Sequence, residues 1–207
     1  MNILIGCEYS GVVRESFRAL GHTAYSCDLL PADDDSKWHI QNDVILAITQ
    51  SLKWDIIILH PPCTALCVSG NAHYGEGKAK HNERIESLQW TIKLWEIAKN
   101  HAPMVALENP VGILSRHLGK PQIVQPYQFG HDASKSTCLF LHNLPPIQAQ
   151  PCDYIQPRMI DGKPRWGNQT DSGQNKLAPS VDRWKIRSTT YKGIAEAMAA
   201  SWGKLNG

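Results

Sequence analysis

The chain has 207 residues, 42% of them hydrophobic, which is enough to bury one core and make one domain, 1–207, rather than two. Charged residues make up 19% and the formal net charge is +2, too mild to announce a nucleic-acid binder and no bar to one. No apolar run approaches the roughly 18 residues of a membrane span, so no membrane partner is expected.

Residues 1–6 lack the basic start and cleavage site of an export signal. The six cysteines are scattered without a dense framework, which suits reduced thiols in a cytoplasmic protein.

In chain order, Asn2 to Gly6 reads as a first strand, followed by the loop Cys7 to Gly11. Val12, Val13, Phe17 and Leu20 then recur at helical spacing, with Gly21 placed as a C-terminal cap. Thr23 to Cys27 predicts a second strand ending at Asp28, and Val44 to Leu52 a helix. Trp54 to Leu59 is rich in β-branched residues, as in a strand buried on both faces.

Glu83 to Asn100 predicts the clearest helix, with an apolar stripe of Ile85, Leu88, Ile92, Trp95 and Ile97. Met104 to Leu107 follows as a buried strand, and Val111 to Leu118 as a helix. Ile123 to Tyr127 and Thr137 to Leu141 read as later, antiparallel strands. The stretch 145–179, rich in Pro, Gly, Asn and Gln, predicts a surface excursion within a variable, loop-rich insertion at about 145–187. A helix with Ile194, Ala195, Met198 and Trp202 on one face spans residues 191–202 and closes the chain. Strands alternating with helices predict an α/β fold with a mostly parallel sheet and helices on both faces.

In such sheets ligands bind beyond the carboxyl ends of the strands. Three of those ends carry unusual polar residues: Cys7-Glu8-Tyr9-Ser10-Gly11, His60-Pro61-Pro62-Cys63, and Glu108-Asn109-Pro110. Two prolines rigidify the turn ahead of Cys63 and aim its thiol. As a thiolate, helped by His60 and nearby amides, it is a nucleophile for an electron-poor ring carbon; the alternative is a buried structural cysteine. A carboxylate directly after an apolar strand, as at Glu108, is costly without a task or partner. Desolvation is expected to raise its pKa and let it share a proton near neutrality; the plainer role is a charge at the N-terminus of the following helix.

Asp28 stands where an acid often accepts ribose hydroxyls, or else caps a turn; Asp43 is a weaker case of the same kind. Cys63-x3-Cys67 has no second pair after it, so no metal site is expected. His73 and His81 are placed in a loop closing over the substrate. Lys163, Arg165, Lys176, Arg183, Lys185 and Arg187, interleaved with Trp166 and Trp184, suit phosphates and stacked bases, or form a solvated loop.

The order Pro61-Pro62-Cys63 after one hydrophobic strand, then Glu108-Asn109 after the next, resembles the cytosine-C5 DNA methyltransferases. The resemblance implies a Rossmann-like, class I S-adenosylmethionine-dependent methyltransferase fold. It implies methyl transfer to carbon 5 of cytosine in DNA, with Cys63 attacking carbon 6 and Glu108 contacting the ring nitrogen and amine. Pro62 and Asn109 join the catalytic set. Tyr9 would pack on the adenine of S-adenosyl-L-methionine, Ser10 and Gly11 line its methionine end, Asp28 bind the ribose and Asp43 sit near the adenine amine, with Pro61 on the same side. His60, Lys135 and Thr137 would face the base. Lys135 and Thr137 stand roughly where the family has Gln-x-Arg-x-Arg, so its arginines are missing. Gly193-Ile194 replaces a usual Gly-Asn, and Val13 a second glycine.

The family's usual target-recognition region is also shrunken here, to about 145–187. The small phage and prophage methylase-like proteins look similar. This leaves room for a separate recognition subunit, for a pyrimidine of RNA or a free nucleotide as substrate, or for an inactive nucleic-acid-binding relative. The amino-methyltransferases, with Asp- or Asn-Pro-Pro-Tyr, are a poorer match to His60-Pro61-Pro62-Cys63.

Overall fold

A computed structural model describes residues 1–50, 53–181 and 183–205. Its centre is a run of short apolar strands that only a sheet covered on both faces can accommodate. In β1 (Asn2–Gly6) and β4 (Ile56–Leu59), Ile3, Leu4, Ile5 and all four β4 residues are fully buried. With β2 (Thr23–Asp28), β3 (His39–Gln41), β5 (Met104–Pro110), β6 (Gln122–Val124) and β7 (Thr137–His142) they form a seven-stranded sheet of order β3-β2-β1-β4-β5-β7-β6. The first five are parallel; β7 runs antiparallel to both β5 and β6.

Side chains alternate across each strand, which splits the core into two layers. Ile3 and Ile5 meet Val13 and Phe17 of α1 (Val12–Arg18) and Met198 and Trp202 of α6 (Lys192–Trp202). On the other face Leu4, Ile57 and Leu59 pack on Ala47 of α2 (Val44–Gln50) and Leu94 and Trp95 of α4 (His81–His101). The chain is therefore an α/β protein with a mostly parallel mixed sheet and helices on both faces. No helix among the described residues is long and apolar enough to cross a membrane, and all six cysteines are free thiols.

Several elements differ from expectation. The strand Met104 to Leu107 continues through Glu108, Asn109 and Pro110, because β7 pairs with them as Glu108↔Leu139, Asn109↔Cys138 and Pro110↔Thr137; a proline is tolerated where the pairing ends. The expected helix over 111–118 contracts to a 3-10 turn, Ile113–Arg116. Gly112 lies against the backbone of Leu66 and Cys67, where a Cβ would collide, so the chain is bridged rather than coiled there. β4 starts at Ile56; Trp54 is packed below it and donates Nε1–H to the Ala47 carbonyl at 3.2 Å. The later strand at 123–127 is only Gln122–Val124, and Pro126–Phe129 forms a 3-10 turn.

α4 buries Arg84, Leu88, Thr91, Leu94, Trp95 and Ala98 and leaves Ile85 exposed. α1 ends at Arg18, so Leu20 lies beyond it and is exposed, while Gly21 takes the left-handed turn. The short edge strand β3 has no counterpart in the expectations. The last two residues of the expected helix 44–52 lie outside the described residues.

The stretch 145–179 is more than a surface excursion. It holds the 3-10 turn Pro151–Asp153 and a hairpin, β8 (Arg158–Ile160) and β9 (Lys163–Arg165). It is pinned by Trp166, buried and stacked on Tyr127 with centroids 4.1 Å apart and planes 10° apart. A short helix, α5 (Arg183–Ser188), then crosses above the carboxyl ends of the strands.

Candidate active site

Strand register builds the site. Gly6 pairs with Leu59, and Leu59 with Leu107, so the next residues, Cys7, His60 and Glu108, stand side by side at the carboxyl edge of three adjacent strands. This is where the strand order reverses direction and where open α/β sheets bind ligands. The three loops read from the sequence do converge: Cys7, Glu8, Tyr9, Ser10, His60, Pro61, Pro62, Cys63, Glu108 and Pro110 line one inner recess of about 90 Å³.

The recess opens into a cleft of about 940 Å³, with Cys63 and His60 on the wall of both. That volume lies within the roughly 300–1,000 Å³ of small-molecule sites. Asp28, Tyr9, Thr64, His73 and Tyr74 form part of its wall. Its roof comes from Lys135, from Asn168, Asn175, Lys176 and Leu177, and from Trp184, Ile186, Arg187 and Tyr191.

Two polar clamps set the loops. Cys7 adopts a left-handed φ of 60°, turning the chain so that Glu8 is buried under the start of α1. There its carboxylate accepts the Val13 N–H at 2.7 Å and the Arg14 N–H at 3.3 Å, satisfying two free amides of the first helical turn. Burial raises the Glu8 carboxyl above its ordinary range, although the charge of His60 opposes the shift. On the other loop Asn109 donates its Nδ2–H to the Pro61 carbonyl at 3.1 Å. The Cys63 carbonyl accepts N–H groups from Leu66 and Cys67, and Val68 and Ile113 tie that segment to the one after β5. The Pro-Pro turn is thus held from behind and from its exit.

His60 directs Nδ1 at Glu108 Oε2, 3.3 Å away, with only 7% and 13% of the two side chains exposed. Burial pushes the Glu108 carboxyl up, but the hydrogen bond and charge of His60, with Lys135, outweigh it and hold it below the ordinary carboxylate range. The expectation of a raised Glu108 pKa is corrected: the partner overrides desolvation. Nor does Glu108 serve a helix N-terminus, because it lies within β5 and a 3-10 turn follows.

The Cys63 thiol is pushed up by burial, then by the Glu108 charge and by Cys67, against opposing pulls from Lys135 and Arg187. It rests as a neutral thiol, so the cations of the roof do not ionise it by themselves.

Other expected residues fall elsewhere. Asp43 caps α2, accepting the Ile45 and Leu46 N–H groups at 2.7 and 3.2 Å, and lines neither cavity. Gly11 also lines neither; it stands at the N-cap of α1 with a φ of 72°, against the buried Arg14 guanidinium. Thr137 is buried and donates its hydroxyl to the Lys135 carbonyl at 3.2 Å, away from the cleft. Asp28 faces the cleft while its Oδ1 accepts the Leu30 N–H at 3.0 Å, so its cleft position and its turn-capping role coexist. His73 faces the cleft from α3 (Asn71–Tyr74), whereas His81 begins α4.

Of the basic and aromatic run, Lys176 and Arg187 reach the cleft, Lys185 pairs with Asp33, and Trp166 is sequestered against Tyr127. Trp184 lies on Tyr9, with centroids 5.7 Å apart, and Tyr9 Oη lies 3.0 Å from Ser188 Oγ.

Two contributors had not been singled out. Glu8 is an acid two residues past the end of the apolar strand β1, and that position was a usable signal. Arg14 is fully buried, bonded to Ser26 Oγ at 2.8 Å and paired with Glu15 and Asp34; nothing in its helical position distinguished it from a surface arginine. Neither the models of known protein families nor the curated proteins contain a match to this chain.

Proposed function

We propose that this chain transfers a methyl group from S-adenosylmethionine to carbon 5 of a cytosine, with Cys63 as covalent nucleophile. The observation that carries the proposal is the meeting of Cys63 and Glu108, from loop and strand 45 positions apart in sequence, in one recess at the carboxyl edge of the sheet. Attack at carbon 6 drives ring electrons toward the ring nitrogen, so a carboxyl group opposite the thiol is the complement the reaction needs.

A parallel sheet of order 3-2-1-4-5 with helices on both faces is in keeping with a Rossmann-like methyltransferase domain. Tyr9 and Asp28 face the larger cleft and would hold the cofactor, with Ser10 at the inner recess. S-adenosylmethionine, when bound, supplies the electrophilic methyl carbon. Lys135, Lys176 and Arg187 give the mouth a positive lining suited to a phosphate backbone. The base must leave a duplex stack to enter, and DNA is the substrate proposed first.

A second reading, a pyrimidine of RNA or a free nucleotide, is favoured by the roof of α5, which leaves Cys63 under cover. Incubation of the protein with labelled S-adenosylmethionine and DNA, RNA or dCMP, followed by nucleoside analysis, tests both. The account expects 5-methylcytosine from one of these and none with Cys63→Ser; label on an exocyclic amine, or transfer that survives in Cys63→Ser, overturns it.

A further inference from the structure

His60 has a feature that its bond to Glu108 does not explain. Its Nε2 is buried without a partner among the described residues, on a side chain only 7% exposed. An unpaired buried ring nitrogen has lost its hydration without a replacement and calls for a reason.

The neighbours leave few candidates. Glu8 has its oxygens engaged by Val13, Arg14 and Ser10, and Glu108 is taken up by Nδ1. Lys135 donates from Nζ to the Arg187 carbonyl at 2.7 Å. The hydroxyls of Tyr9, Ser10, Ser188 and Thr189 are engaged as well. Left on the wall of that recess are the thiols of Cys63 and Cys7, the Thr190 hydroxyl and the Arg187 guanidinium, and of these the Cys63 thiol is the nucleophile of the proposed reaction. Among the described residues neither the Cys63 nor the Cys7 thiol has a hydrogen-bond partner.

The tautomer follows from the partner. Glu108 is held ionised, an ionised carboxylate only accepts, and so Nδ1 carries the hydrogen. In the neutral ring Nε2 is then a free lone pair on a side chain that lines the recess. A carboxylate orienting an imidazole toward a thiol is the arrangement by which cysteine nucleophiles are activated.

We propose that His60 is the general base that takes the Cys63 thiol proton at Nε2, while Glu108 orients it through Nδ1–H. The proposal rests on the reading of Cys63 as nucleophile and supplies the ionisation that the resting thiol lacks. The addition step balances. The S–H bond breaks and its proton goes to Nε2. The sulfur electron pair forms the bond to ring carbon 6, and the displaced ring pair moves to the ring nitrogen. The Nδ1 proton of the imidazolium passes to Glu108 and from it to that nitrogen. The net change is addition of S–H across carbon 6 and the ring nitrogen, with His60 left neutral. Direct transfer or passage through one water both satisfy the step.

The test needs neither cofactor nor base. Iodoacetamide alkylation at neutral pH is followed peptide by peptide by mass spectrometry, so that Cys63 is read apart from Cys7 and the other thiols. His60→Gln, which keeps an amide N–H for Glu108 but cannot take the proton, is expected to slow Cys63 alkylation roughly 10²-fold while its thermal unfolding stays cooperative. His60→Ala is expected to show the same loss, with millimolar imidazole restoring Cys63 alone. Equal Cys63 rates in the wild type and His60→Gln overturn the proposal, as does a loss in His60→Ala that imidazole leaves unchanged. A His60-dependent thiol without 5-methylcytosine in any substrate upholds the base and sinks the methyl-transfer reading. Methyl transfer with a His60-independent thiol does the reverse.

Discussion

Trp184 covers the aromatic face on which the proposed cofactor would lie. The Tyr9–Trp184 centroid separation of 5.7 Å at an interplanar angle of 50° is direct ring contact, so no third ring fits between them. An adenine on Tyr9 must displace Trp184, and cofactor binding then carries the cost of that pair, about 0.5–1.5 kcal/mol. Trp184→Ala removes the cost in advance. Because Trp184 is half exposed, the fold loses little with it. S-adenosylmethionine is therefore expected to bind the variant roughly 2- to 10-fold more tightly than wild type, whereas Tyr9→Ala should weaken binding. Titration calorimetry of wild type and both variants gives the comparison. Weaker binding to Trp184→Ala would refute the reasoning, because Trp184 would then be a wall of the cofactor slot rather than its cover.

Three further perturbations probe the clamps and charges. Asn109→Ala strands the Pro61 carbonyl but also removes an Oδ1 that is itself buried and unpartnered. The two effects offset, for a net destabilisation of about 1 kcal/mol in urea unfolding; a loss beyond about 3 kcal/mol would show that Oδ1 is satisfied. Burial raises the Glu8 carboxyl above its ordinary 4.5, so the fold favours its protonated form. Wild-type stability should fall relative to Glu8→Gln as pH rises from below 4.5 through the folded-state value toward neutrality. Parallel pH profiles in urea melts would contradict that sign. Lys135 is one of two cations pulling the Cys63 thiol down against burial and Glu108. Lys135→Ala should slow alkylation of Cys63 at neutral pH, and an unchanged rate would show that Lys135 contributes nothing to thiol ionisation.

The parallel core was legible because Ile56 to Leu59 and Ile3 to Ile5 are apolar without a break, a pattern that a sheet covered on both faces demands. The convergence of the three polar loops followed from that architecture alone. What the sequence hid depended on partners distant along the chain. Glu108 looked like a loop acid because nothing local reveals that β7 extends β5 past it. Its pKa was misjudged for the same reason: desolvation can be inferred from an apolar flank, but His60 reaches it only through the register of β4 and β5. Thr137 and Asp43 lie close in sequence to plausible ligand positions, yet one is turned into the sheet and the other caps a helix. Lys135, Lys176, Trp184 and Arg187 were singled out as ligand contacts, but the roof they form was not legible, because 145–187 has no periodicity; its shape is held by single contacts such as Trp166 on Tyr127 and Lys135 Nζ on the Arg187 carbonyl, 2.7 Å away.

The central claim is that Cys63 bonds covalently to a cytosine ring. Mass spectrometry of the protein incubated with S-adenosylmethionine and DNA containing 5-fluorocytosine addresses it directly, because fluorine at carbon 5 blocks the release step and traps the adduct. The account predicts a stable protein–DNA species whose modified peptide carries the base on Cys63, and no such species with Cys63→Ser. A trapped adduct on any other residue, or an equal yield from Cys63→Ser, would contradict it.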